Sequence, residues 1–123
     1  MTLELTDLTA HQLMMNLDKY IGMAGEIGLE VLKLEQAVGY FTIDLKALSA
    51  QLVVDYEMSG FKYNMALRKM ECDPVYVGEA KKLVALKTRL SEAQAKHEIL
   101  SKAITAINGI SWARNNELKM LRS

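Results

Sequence analysis

Between Lys62 and Arg89 the chain carries seven cations, Lys62, Arg68, Lys69, Lys81, Lys82, Lys87 and Arg89, against the acids Glu71, Asp73 and Glu79. Phe61, Tyr63 and Tyr76 are interleaved with them. Ammonium and guanidinium groups neutralise phosphates and release counterions, and aromatic rings stack on bases. The combination therefore suits sequence-tolerant binding of a nucleic-acid single strand. Lys62, Arg68, Lys69, Lys81 and Lys82, with Tyr63 and Tyr76, are the candidate nucleic-acid-binding residues. The plainer alternative is a solvated basic face, with the tyrosines packing a helical core.

Catalytic chemistry has a weaker claim. No phosphate-cradling loop, dinucleotide fingerprint or nucleophile elbow is present in the sequence. His97 falls on an apolar helical seam with no second ligand at metal spacing, which makes it a packed seam residue rather than a base or ligand. His11 reads as a solvent-facing residue of a first helical turn. Asp55 and Glu57 could form an acid and base pair, but cations are placed to neutralise them. Cys72 is the single cysteine; it can form no intrachain disulfide and reads as a buried or bystander thiol. The expectation is a protein without catalytic residues, metal or cofactor.

The elements that must hold the basic cluster are helices. Ile27, Val31, Leu34, Val38, Phe41, Leu45, Leu48 and Leu52 follow a four-three spacing, and Leu83, Leu86, Leu90, Ala93, His97, Leu100, Ile104 and Ile107 repeat it after Pro74. Such a seam is buried only against another helix. Asp73 caps a new helix and Pro74 fits its first position, where no amide donor is needed. Thr9 and Gln12 make a capping box for a short first helix. Gly22, Gly25 and Gly28 together cost about 3 kcal/mol of helix propensity, which favours a break there over a close helix crossing. The spacing thus predicts helices over about 9–21, about 26–70 and about 74–121.

The predicted fold class is all-α, one helical domain over 1–123: a long antiparallel, coiled-coil-like helical hairpin with the short N-terminal helix packed at its open end. A turn near residues 71–73 pairs positions whose numbers sum to about 144. Asp55 then faces Arg89, Glu57 faces Lys87, Glu30 faces Arg114, Glu26 approaches Lys119 and Asp44 approaches Lys102. A second apolar stripe on the last helix, Ile99, Ala103, Ala106 and Ile110, is left needing a partner. It is the predicted oligomer interface of a homo-oligomer, because a slender domain buries little core for its surface.

Composition sets the broad class. Half of the 123 residues are hydrophobic and there is one proline, a balance that favours helix. The formal net charge of zero hides an asymmetry: residues 1–60 hold three Lys against nine acids, 3 − 9 = −6, and residues 61–123 hold twelve Lys and Arg against six acids, 12 − 6 = +6. No signal peptide and no apolar stretch of membrane-spanning length stand out, so a cytoplasmic location with no membrane partner is expected.

From Leu45 onward the chain resembles the UvsY-type recombination mediators of bacteriophages. Arg68, the Asp73-Pro74-x-Tyr76-x-Gly78 step, the Ala93, Leu100, Ala103 and Ala106 series and the closing Arg114-x-x-x-Leu118-x-x-Leu121 carry the likeness. The resemblance implies a phage-encoded homo-oligomer in the cytoplasm of a bacterial host. It would bind single-stranded DNA and a recombinase in DNA recombination, with no enzyme activity and no cofactor. A helical structural or adaptor protein of phage assembly or chaperone type, acting by protein–protein contacts alone, is the alternative.

Overall fold

A computed structural model describes residues 9–122. They form three helices, α1 (Ala10–Met58), α2 (Tyr63–Glu71) and α3 (Pro74–Arg122), with no strand among the described residues. The all-α expectation holds. The chain divides into two compact units, Met1–Glu30 with Ala93–Ser123, and Val31–Glu92.

Both caps form as their residue types dictate. The Thr9 amide donates to Gln12 Oε1 at 2.9 Å and the Gln12 amide to Thr9 Oγ1 at 3.2 Å, the reciprocal box that satisfies orphan donors at a helix start. At α3 the Val75 amide donates to Asp73 Oδ1 at 2.9 Å, with Pro74 as the first helical residue.

The first correction concerns the glycines. No break occurs at Gly22, Gly25 or Gly28, and the predicted short first helix is the N-terminal part of α1. Leu13, Leu17, Tyr20 and Ala24 extend the four-three spacing into Ile27 without a phase change, and all are buried or half-buried. Fully burying one side chain such as Leu13 contributes about 1.5–3 kcal/mol. Several such residues outweigh the glycine penalty, so the seam wins over local propensity.

The second correction concerns the end of α1. The helix stops at Met58, not near Met70. The Phe61 amide donates to the Tyr56 carbonyl at 3.2 Å and the Gly60 amide to the Glu57 carbonyl at 3.0 Å, and Gly60 has φ 101°. This is the Schellman arrangement, in which a residue without Cβ takes the left-handed position past the helix end. Phe61 packs edge-on against Tyr56, ring centroids 6.1 Å apart, supplying the hydrophobic contact that accompanies the motif.

In the unit that contains both ends of the chain, Leu13 and Ile107 are fully buried, with Leu17, Tyr20 and Ile110 packed against them. A Cβ on Gly28 would lie 3.6 Å from His97 Nε2. In the other unit Val53, Ala66 and Met70 form the core, covered by Leu52, Tyr56, Leu67 and Tyr76. There Phe41, Leu45 and Leu48 share a groove with Val75 and Glu79. These neighbours replace the expected register. Gly28 and His97 sum to 28 + 97 = 125, and Leu45 and Glu79 to 45 + 79 = 124, not 144. With α1 ending early and α2 packed on Val53, the charge matches built on 144 lose their basis. The salt bridges Lys82–Glu79 at 2.9 Å and Lys102–Glu98 at 3.2 Å both lie within α3.

Every residue of the two predicted seams is buried or half-buried. Other large side chains of α1 stay exposed, among them Met15, Leu29, Tyr40 and Ile43. Contrary to the sequence expectation, α1 includes a stretch long and apolar enough to cross a membrane by length and composition.

Candidate nucleic-acid interface

The basic cluster is built around α2. Lys62 precedes the helix in extended conformation, φ −69° and ψ 157°, and its carbonyl accepts the Ala66 amide at 2.8 Å. Ala66 and Met70, one turn apart, are buried, and Leu67 packs beside them. That fixes the inner face of the helix and leaves Tyr63, Arg68 and Lys69 exposed. Arg68 and Lys69 occupy the last turn, where cations offset the negative end of the helix dipole. Lys69 Nζ stands 5.2 Å from the centre of the Phe61 ring, a cation–π contact of about 0.5–1 kcal/mol at an exposed site.

The aromatic residues divide into two kinds. Tyr63 is 60 % exposed and borders an open groove of about 320 Å³ with Val54, Leu67 and Met70. Tyr76 instead packs against the Val53, Ala66 and Met70 core. Its expected role as a free stacking platform gives way to a packing role, because its position continues the buried line of α3 toward Leu83. Phe61 is engaged by Tyr56 and Lys69.

On α3, Lys81 and Lys82 are exposed. Lys82 is tied to Glu79 at 2.9 Å; an exposed i,i+3 pair contributes about 0–1 kcal/mol. The exposed set is therefore Lys62, Tyr63, Arg68, Lys69, Lys81 and Lys82.

A hydrogen bond absent from the sequence reading braces this region. Tyr56 Oη donates to Asp73 Oδ2 at 2.6 Å, joining the end of α1 to the cap of α3. Tyr56 holds the Asp73 carboxyl below the usual carboxylate range, aided by the backbone amides of Val75 and Tyr76. The same bond raises the phenol of Tyr56 above its ordinary value, with burial adding to it. The sequence signal was a tyrosine near the end of the seam and a capping aspartate, which no local rule links.

Cys72 closes α2 and is exposed rather than buried. His97 sits on its seam against Gly28, His11 is exposed, and among the described residues no three His, Cys, Asp or Glu side chains gather to hold a metal.

The predicted oligomer stripe is divided. Ile99 is 67 % exposed and Ala106 is exposed, whereas Ala103 is half-buried. Ile110 packs against the Leu13 and Ile107 core, because the N-terminal part of α1 covers it, and so is only partly available to a second copy. No family model, curated protein or solved structure matches the chain.

Proposed function

We propose that this protein is a non-enzymatic, self-associating accessory factor that binds single-stranded DNA through α2 and the start of α3. The observation that carries the reading is that Lys62, Arg68, Lys69, Lys81 and Lys82 are all exposed, as is Tyr63. Cations supply affinity through counterion release, and Tyr63 supplies one stacking surface. The resemblance to phage recombination mediators adds a recombinase as the protein partner and a bacterial cytoplasm as the setting. In this reading α1 and α3 run antiparallel as a coiled-coil-like hairpin, with the seams as their shared core, and the apolar outer side chains of α1 meet protein rather than lipid.

The adaptor reading draws on a different observation, the number of large apolar side chains left exposed, such as Leu29, Ile43 and Trp112. Contiguous exposed apolar patches mark protein contacts, and the adaptor reading takes side chains of this kind to build one. Fluorescence anisotropy with a labelled single-stranded oligonucleotide at low and moderate salt separates the two. Salt-sensitive binding supports the DNA-binding factor, and absence of binding at low salt leaves the adaptor.

A further inference from the structure

We infer that the face of α3 from Lys96 to Glu117 is a self-complementary docking surface for a second copy of this chain, whose α3 lies antiparallel to it about a two-fold axis. The inference rests on the self-association proposed above and names its direction and register.

From Ile99 the line Ala103, Ala106, Ile110 and Ala113 advances by alternating steps of four and three, and Lys96 and Glu117 continue it by one step at either end. Such steps keep one face of a helix, here beside the buried Leu100 and Ile107. Ile99 is 67 % exposed. Ala106 and Ala113 are exposed too, and Ala103 and Ile110, on the seam side of the line, are half-buried. Near Glu117 the line is concave: Ile110, Ala113, Arg114 and Glu117 border an open groove of about 230 Å³.

The two ends of the line carry opposite charge. Lys96 and Glu117 are exposed, and among the described residues neither is in an ion pair. A two-fold axis at Ala106 sets that residue against its own counterpart, so facing positions sum to 106 + 106 = 212. Lys96 then stands level with Glu117 of the second copy, since 96 + 117 = 213. The axis makes the same contact again with the roles exchanged. Between the two ion pairs, Ile99 enters the second copy's groove at Ala113, 99 + 113 = 212, and Ala103 lies against Ile110, 103 + 110 = 213. Every facing pair on the line is thus apolar with apolar or cation with anion. Lys102, on the outer rim, is already tied to Glu98, and Arg114, on the seam side, makes its own contact within the chain. A parallel copy in the same register would bring Lys96 onto Lys96 and Glu117 onto Glu117, a like-charge arrangement that disfavours it. An antiparallel copy displaced by seven residues would set Lys96 against Ile110 or Glu117 against Ala103. Charge therefore selects a second copy, one direction and one register, and alanine at the axis lets the two helices approach closely.

Sedimentation equilibrium of the full chain tests this. Lys96→Glu and Glu117→Lys should each weaken self-association about tenfold, as two lost ion pairs and two new repulsions require. The double variant Lys96→Glu/Glu117→Lys should return it to near the wild-type value. Ala106→Glu should keep full helicity, because the site is exposed in one copy and glutamate is a good helix former. It should nevertheless weaken association by more than about tenfold, since the axis sets one buried carboxylate against another. If the wild type associates but these single variants leave it unchanged, or the exchange fails to restore it, this interface is wrong and association uses another face. A wild type that is monomeric at high concentration overturns the interface and the self-association reading together.

Discussion

Gly22→Ala discriminates between one continuous α1 and two helices broken at the glycines. In a continuous helix the new methyl meets no atom within 4 Å, so neither packing loss nor clash enters. The gain is the difference in helix propensity, about 1 kcal/mol. For a chain of this size that raises the melting temperature by about 3–5 °C. Gly60→Ala is the opposite case. Its surroundings are equally open, but φ is 101°, where an L side chain is strained, and the cost is about 1–2 kcal/mol. The two substitutions are chemically identical and should differ by about 2–3 kcal/mol in urea unfolding followed by far-ultraviolet circular dichroism. Low protein concentration keeps association out of the comparison. Destabilisation by Gly22→Ala would refute the continuous helix, and a neutral Gly60→Ala would refute the Schellman stop.

Ile107 is fully buried against Leu13, so Ile107→Ala should lose about 2–5 kcal/mol in the same assay. The Tyr56–Asp73 bond should appear as a pH dependence whose alkaline limb Tyr56→Phe removes and whose acid limb it only reduces, since the Val75 and Tyr76 amides still hold Asp73 low. The depressed Asp73 contributes stability above its ordinary value of 3.8, lost as pH falls through its lower folded value. The raised Tyr56 contributes below 10.0, lost as pH rises through its higher folded value. Tyr63→Ala should weaken oligonucleotide binding by about 1–3 kcal/mol with little change in melting temperature. Tyr76→Ala should do the reverse, lowering the melting temperature by displacing a core side chain, as paired thermal melts and anisotropy titrations would show.

Much of the helical framework was legible because it obeys short-range rules. The Thr9 and Gln12 box, the Asp73 and Pro74 start and both four-three seams depend on neighbours in sequence, and all appear in the structure. The glycine penalty is local, and it takes no account of the seam along the same helix. Gly22, Gly25 and Gly28 looked like a break until Leu13, Leu17 and Tyr20 are seen to share one face with Ile27. The Ser59–Gly60 stop was visible in principle, a glycine just past the last periodic residues, but the apolar spacing resumes at Tyr63 and disguises it. The displaced register follows from that stop. The candidate site was legible as a charge cluster, and exposure sorts it: Tyr63 stays open while Tyr76 packs inward, a distinction set by which residues α2 folds against.

A titration of labelled single-stranded oligonucleotide, read by anisotropy at several salt concentrations, tests the central reading most directly. The wild type should bind at low salt and weaken as salt rises, because affinity from Lys62, Arg68, Lys81 and Lys82 comes through counterion release. Lys81→Glu with Lys82→Glu should weaken binding many-fold and reduce the salt slope by about one for each phosphate no longer neutralised. Helicity should stay unchanged, since both side chains are exposed. Binding that is absent at low salt, or indifferent to charge reversal at Lys81 and Lys82, would contradict the account.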